Sequence, residues 1–97
     1  MTGKLYKRHG AVRITVKTFC TLHTIRKAYI KYRKPDGKIG RFAALIADAE
    51  NGVIYYECRN GDINEGGWWV FWADITFEDG RTAAGEAARV FVWDEGK

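Results

Sequence analysis

The sequence of 97 residues has little proline and no long apolar run. Its single proline, Pro35, excludes a proline-rich disordered tail. No apolar run approaches the ~20 residues that a membrane-spanning helix needs. The basic N-terminus is not followed by the apolar segment of a secretory signal. We therefore expect a protein that is made in the cytoplasm, without a signal peptide and without a membrane partner.

Cysteine and histidine are also scarce, with two of each. A zinc site needs about four ligands arranged in close pairs, and Cys20, Cys58, His9 and His23 are too widely spaced to supply them. We predict no metal site and solvated histidines. For the cysteines the default in a reducing compartment is two free thiols, and a disulfide between two strands stays open as the alternative.

Signals of catalysis are missing as well. The glycines form neither GxGxxG nor GxxxxGK, so no phosphate-binding loop is indicated. A catalytic carboxylate pair could come from Asp62, Glu65, Asp74, Glu78 and Asp79, but we assign these residues to turns, where they usually cap the backbone or are solvated. Neither cysteine has a histidine beside it to activate a thiolate. We predict a protein that is not an enzyme, with no catalytic residue and no cofactor.

Acidic residues are nearly absent from the first part of the chain. Residues 1–41 carry twelve Lys/Arg and one acid, whereas residues 42–97 carry four Lys/Arg and eleven acids. Two explanations stay open. Early strands could pair with late strands, so that opposite charges interleave on the folded surface. Alternatively, the molecule could have a basic end and an acidic end, suited to head-to-tail stacking or to an acidic partner.

Aromatic residues, in contrast, are abundant, and three of the four tryptophans fall within residues 68–72. This stretch follows a turn-like segment, residues 61–67, and continues as the longest apolar segment of the chain. Alternation divides it into two rows. The inward row is predicted to be Trp69, Phe71, Ala73, Ile75 and Phe77. The other row is Trp68, Val70, Trp72, Asp74 and Thr76. A strand with tryptophan on both faces either lies between two layers or carries a binding surface.

The remaining chain alternates in short segments separated by turn signals. The predicted strands are residues 4–6, 11–18, 25–33, 39–47, 53–58, the long strand ending at Phe77, and 87–93, with 82–86 as a spacer. Pro-Asp-Gly at 35–37 and Asn-Gly at 51–52 predict tight turns. This spacing is typical of an all-β sandwich or barrel. We expect one domain over residues 1–97, with flexible ends at 1–10 and 94–97.

Several of these segments resemble one family. The sequences YRKPDG at 32–37, GDINEGGWW at 61–69 and ITFEDG at 75–80 are similar to turn and strand motifs of small immunoglobulin-like proteins encoded by bacteriophages and prophages. The N-terminal domain of phage baseplate upper proteins has a similar order. The resemblance covers residues 11–93 and implies an Ig-like antiparallel β-sandwich of about seven strands. It also implies a non-catalytic virion accessory in the tail, neck, head or baseplate, made in a bacterial host cytoplasm.

In an Ig-like sheet the third, sixth and seventh strands are neighbours. Their outward rows would form an aromatic face fringed by cations, of a composition common in protein–protein interfaces. The predicted partner-binding residues are Tyr29, Lys31, Arg33, Trp68, Val70, Trp72, Arg89, Phe91 and Trp93. The partner would be a second copy or another virion protein. The alternatives are a host surface glycan, single-stranded nucleic acid, or a patch that is ordinary core because a loop or the N-terminal segment of the chain covers it.

Overall fold

The computed structural model describes residues 5–6, 13–18, 21–59, 61–85 and 87–93, which form nine strands and no helix. The strands are β1 (Leu5–Tyr6), β2 (Arg13–Lys17), β3 (Ile25–Arg33), β4 (Ile39–Ala43), β5 (Leu45–Asp48), β6 (Val53–Glu57), β7 (Gly67–Phe77), β8 (Thr82–Ala84) and β9 (Ala88–Trp93). Within this described part, no helix has the length and apolar character needed to cross a membrane. The predicted flexible end at 94–97 lies outside the described residues.

The strands form two sheets packed as a sandwich, which confirms the predicted all-β, Ig-like fold. The large sheet has the order β1-β9-β7-β3-β4, and β8 pairs with β7 beside the second half of that strand. The small sheet has the order β2-β6-β5. The pairs are antiparallel except for β1 with β9, which is parallel. As predicted, β3, β7 and β9 are neighbours.

Alternation along β7 supplies the centre of the core. Its inward row is buried from Trp69 to Ile75, and Phe77 is partly buried. Opposite this row, the small sheet contributes alternate residues of β2 and β6. The buried members of the core in the large and small sheets include Ile14, Val16, Ile30, Phe42, Ile54, Trp69, Phe71, Ala73, Ile75 and Val92. Apolar burial between the two sheets therefore holds the sandwich together.

The predicted strand at 39–47 is wrong in one respect, because the chain changes sheets at Ala44. Its first part is β4, an edge of the large sheet, and its second part is β5, an edge of the small sheet. Alternation along a single strand would place Ile46 on the inward row with Phe42 and Ala44, but Ile46 is 40% exposed in the edge strand β5, which has a neighbour on one side within the described residues. The predicted spacer at 82–86 is also wrong, since Thr82–Ala84 pairs with β7. The described residues thus form nine strands, the additional ones being β5, which is separated from β4, and β8.

The turn between β3 and β4 forms as its sequence predicts. The Gly37 amide donates to the Lys34 carbonyl at 2.9 Å, and Gly37 adopts a φ of 89°. The Asp36 carboxylate accepts a hydrogen bond from the Lys38 amide at 2.9 Å, which lowers the pKa of Asp36. Because a side chain disfavours positive φ, glycine at this position fixes the hairpin and the register of β4 against β3.

Candidate functional site

All nine residues predicted to bind a partner lie on one surface. The outward rows of β3, β7 and β9 alternate with the buried rows, and strand pairing places them side by side. Lys31 lies opposite Trp72, and Trp68 lies opposite Phe91. The aromatic face is defined here as Tyr29, Lys31, Arg33, Trp68, Val70, Trp72, Arg89, Phe91 and Trp93. The sandwich therefore displays a continuous aromatic and basic surface on the outside of its large sheet.

Three rings form a cluster on this face. Trp68 and Phe91 meet edge to face with ring centroids 5.2 Å apart, and Phe91 and Trp93 do the same at 4.9 Å. Trp68 is 51% exposed and Trp93 is 39% exposed, while Phe91 between them is half-buried. Trp72 is also half-buried. Edge-to-face contacts hold aromatic rings in fixed relative positions. The cluster is thus an ordered apolar patch that remains open to solvent.

Guanidinium groups lie against rings of the same surface. The Arg89 Cζ lies 4.7 Å from the Trp68 ring centroid, and the Arg41 Cζ lies 4.3 Å from that of Tyr29. Contacts of this kind are cation–π interactions, worth about 0.5–1 kcal/mol at exposed sites. Lys31 instead pairs with Asp74, whose Oδ2 is 3.4 Å from the lysine Nζ. The side chains of Arg41 and Arg89 are therefore positioned by aromatic rings.

The outward side of β3, β4, β7 and β9 is strongly basic. Among the described residues it carries five cations against the single carboxylate of Asp74. The cations are Lys27, Lys31, Arg33, Arg41 and Arg89. Elsewhere, basic residues of the first half pair with acids of the second half, as Arg13 does with Glu57. This interleaving is the first of the two arrangements expected from the charge distribution, and the excess positive charge collects on one face of one sheet.

Sequence reasoning missed the contribution of β4. Pairing sets Arg41 beside Lys31 and Ile39 beside Arg33, so both extend the aromatic face toward the sheet edge. Ile39 is 61% exposed. The signal was present in the sequence, because the tight turn at 34–37 makes β4 the neighbour of β3 and alternation then assigns its outward residues.

The position of β1 tests, for Leu5–Tyr6, the alternative that the N-terminal segment covers this face. Leu5–Tyr6 pairs alongside β9 and extends the sheet at its edge, and does not cross the outward rows. Trp68 and Trp93 are 51% and 39% exposed, so no segment among the described residues covers them fully.

A second polar cluster lies away from this face, at the end of β6. The Tyr56 hydroxyl donates to the Asp62 Oδ2 at 2.7 Å, and the Arg59 amide donates to the same oxygen at 2.7 Å. The hydrogen bond to Asp62, together with burial, raises the pKa of Tyr56 to about 12. Burial, followed by the charge of Asp62, raises the pKa of Cys58 to about 11. A thiol that stays protonated is a poor nucleophile, so this cluster serves to fix the loop before β7.

The other predicted polar residues have structural or solvated surroundings. Cys58 is a buried free thiol and His23 is exposed, whereas Cys20 and His9 lie outside the described residues. In the part of the chain that the structure describes, no group of three His, Cys, Asp or Glu residues could hold a metal ion. The Asp79 carboxylate accepts a hydrogen bond from the Arg81 amide at 3.0 Å. This hydrogen bond lowers the pKa of Asp79, as expected for a turn residue.

Comparison with known proteins supports the architecture. No family model and no curated protein matches the chain. Among solved structures, CopC from Methylosinus trichosporium OB3b is similar, with a TM-score of 0.59 and 11% sequence identity. The match covers 99% of this chain and 89% of that chain. At this level of identity the likeness shows the fold, a β-sandwich, and carries no information about function.

Proposed function

We propose that this protein is a non-catalytic docking protein whose aromatic face binds another protein. The observation that carries the proposal is the exposed, ordered cluster of Trp68, Phe91 and Trp93 on an open sheet surface. Large aromatic side chains and arginine dominate the binding energy of protein interfaces. The motif resemblance adds the biological setting, a bacteriophage or prophage virion in which the partner is a neighbouring structural protein.

The area available on the face is sufficient for a hot spot. A tryptophan side chain buries about 150–250 Å² when it is fully covered. Trp68 and Trp93 expose 51% and 39% of their surfaces. Covering both would remove roughly 180 Å² from water, worth about 4 kcal/mol at ~25 cal/mol per Å². Surrounding contacts would be needed to exclude water, and Val70, Phe91 and Ile39 supply apolar surface next to the rings.

The proposal is tested by binding to the products of structural genes that neighbour its own gene. The purified chain and each candidate are examined together by sedimentation velocity. The wild-type chain is expected to co-sediment with one of them, and the double variant Trp68→Ser/Trp93→Ser is expected to bind at least about tenfold more weakly, because hot-spot truncations cost more than about 2 kcal/mol.

Leu45→Ser provides the matched control. Leu45 is 60% exposed and lies in β5 of the small sheet, so its substitution removes exposed apolar surface from the opposite side of the sandwich. Binding by the Leu45→Ser variant should equal that of the wild type. If no candidate binds, or if the double tryptophan variant binds as the wild type does, the proposed function is incorrect.

A further inference from the structure

Building on the proposed function, we infer that the partner presents carboxylates to the aromatic face, which the guanidinium groups of Arg41 and Arg89 bind. The partner is therefore a protein with an acidic surface. The inference depends on the charge of the face, on the unpaired state of these two arginines, and on an internal comparison with the opposite sheet.

The charge of the face selects the partner. Lys31 is matched by Asp74. Among the described residues no other carboxylate lies on the outward side of the large sheet to pair with Lys27, Arg33 or the two arginines. Interfaces bring complementary potentials together, and like charges across an interface cost several kcal/mol. A two-fold contact between two copies would place this basic surface against itself. The face is therefore suited to an acidic surface and not to a second copy of itself.

On the small sheet, an arginine that lies over a ring is also paired with a carboxylate. The Arg13 Cζ lies 4.4 Å from the ring centroid of Tyr55, much as Arg41 lies over Tyr29. Arg13 in addition donates from Nε to the Glu57 Oε1 at 3.0 Å. A guanidinium held flat on a ring keeps its N–H edge available for a carboxylate. On the small sheet that carboxylate belongs to Glu57 in β6, the strand that is paired with β2.

On the large sheet, Arg41 and Arg89 each have a ring beside them but no carboxylate from a described residue. Neither Arg41 nor Arg89 forms an ion pair with any described residue, although both are exposed and both lie against rings. A carboxylate from a partner would occupy the position that Glu57 occupies beside Arg13. Because ring contact already restricts each guanidinium, less side-chain entropy is lost when the pair forms.

Single-stranded nucleic acid is the other polyanion to consider. Its bases bind sheet surfaces by stacking on open aromatic rings. Here guanidinium groups lie over Tyr29 and Trp68, and Phe91 forms edge-to-face contacts with Trp68 and Trp93. These contacts reduce the ring surface that a base could stack on, so the geometry favours carboxylates of a protein.

The test uses a hexaglutamate peptide as the probe, with hexaglutamine as the neutral control and a hexathymidine oligonucleotide as the competing polyanion. Binding is followed at low salt by the nitrogen–proton NMR signals of the arginine side chains and by tryptophan fluorescence. We expect hexaglutamate to shift the signals of Arg41 and Arg89 and to leave that of Arg13 nearly unchanged. The double variant Arg41→Gln/Arg89→Gln should bind hexaglutamate about tenfold more weakly, because charge-assisted hydrogen bonds are lost.

Arg13→Gln is the matched control, since it removes one positive charge and one arginine–ring contact from the opposite sheet. Its affinity for hexaglutamate should change by less than about twofold, as expected for a distant exposed charge. The inference is overturned if hexaglutamate does not bind, if Arg13→Gln weakens binding as much as the double variant does, or if hexathymidine binds more tightly through the same arginines.

The outcomes also separate this inference from the proposed function. If Trp68→Ser/Trp93→Ser abolishes binding of a structural protein while Arg41→Gln/Arg89→Gln does not, docking stands and the acidic partner is refuted. If the tryptophan variant retains full binding, both are refuted. If both double variants lose binding and Arg13→Gln does not, both are supported.

Discussion

Substituting phenylalanine for each of the two adjacent tryptophans of β7 tests whether its two rows have different roles. Trp69 is fully buried, and its indole Nε1 donates to the Glu65 carbonyl at 2.9 Å. Its ring also packs against Tyr32 and Phe71, with centroids 5.4 Å and 5.9 Å away. Trp68, one residue earlier, is 51% exposed. The two positions share a residue type and a strand, so they differ mainly in burial.

The expected costs follow from these contacts. In Trp69→Phe, a hydrogen bond to a backbone carbonyl is lost, which costs about 1–3 kcal/mol when the acceptor is left unsatisfied. The smaller ring also leaves a gap in the core, and gaps of this size cost about 1 kcal/mol. The total is about 2–4 kcal/mol. For Trp68→Phe, the aromatic contact with Phe91 is preserved and the change should stay within about 0.5 kcal/mol, as for most surface substitutions.

Urea and thermal unfolding followed by far-ultraviolet circular dichroism measure the difference, because that signal does not depend on the tryptophan replaced. For a domain of this size, Trp69→Phe should lower Tm by roughly 10–20 °C and Trp68→Phe by no more than about 3 °C. Equal destabilisation by the two variants would refute the assignment of Trp68 to an open surface. A negligible effect of Trp69→Phe would refute the assignment of Trp69 to the core.

Two further predictions concern the loop before β7 and the start of that strand. Because the pKa of Tyr56 is raised to about 12 in the folded chain, the stability due to its protonated hydroxyl is present below the ordinary pKa of 10.0 and is lost as the pH rises toward 12. Tyr56→Phe should therefore lower the free energy of unfolding at pH 7 by about 1.5–3 kcal/mol and reduce the loss of stability at alkaline pH. Urea unfolding at several pH values measures both effects. An unchanged dependence of stability on alkaline pH would contradict the hydrogen bond to Asp62. Gly67→Ala should cost about 1–3 kcal/mol, because Gly67 has a φ of 121° and an added Cβ would lie 2.9 Å from the Cγ of Pro35. A thermal melt equal to that of the wild type would show that the strand starts differently.

Alternation and turn chemistry were sufficient to predict most of the fold. The inward row of β7, the turn at 34–37 and the neighbours β3, β7 and β9 all follow from period-two patterning and from residues that accept positive φ. The candidate face followed from the same patterning, because once β7 is assigned an inward row its other row must face outward. The nine residues of the face are brought together by this logic.

What the sequence could not reveal is the change of sheet at Ala44. Residues 39–47 contain no turn signal, and the alanines at 43 and 44 show no strong preference for either face. A backbone hydrogen bond from the Ala44 amide to the Ala28 carbonyl, at 3.0 Å, fixes the last contact with the large sheet before the chain crosses to the small one. Tertiary contacts of this kind have no local signature. Likewise, the short strand β8 follows from its proximity to β7 and not from any pattern in TAA.

The same register determines both the stability of the sandwich and the composition of its outer face. A slip of β7 by one residue would exchange the rows, exposing Trp69, Phe71 and Ile75 and moving Asp74 toward the core. Losing burial of three large apolar side chains costs about 1.5–3 kcal/mol each, and an unpaired buried carboxylate costs several kcal/mol more. Burial of Trp68 and Trp72 in their place would offset part of the apolar loss, but it would not compensate the buried carboxylate of Asp74. Selection for a folded core thus holds the exposed tryptophans in place, and a partner that covers them would further stabilise the register on which their exposure depends.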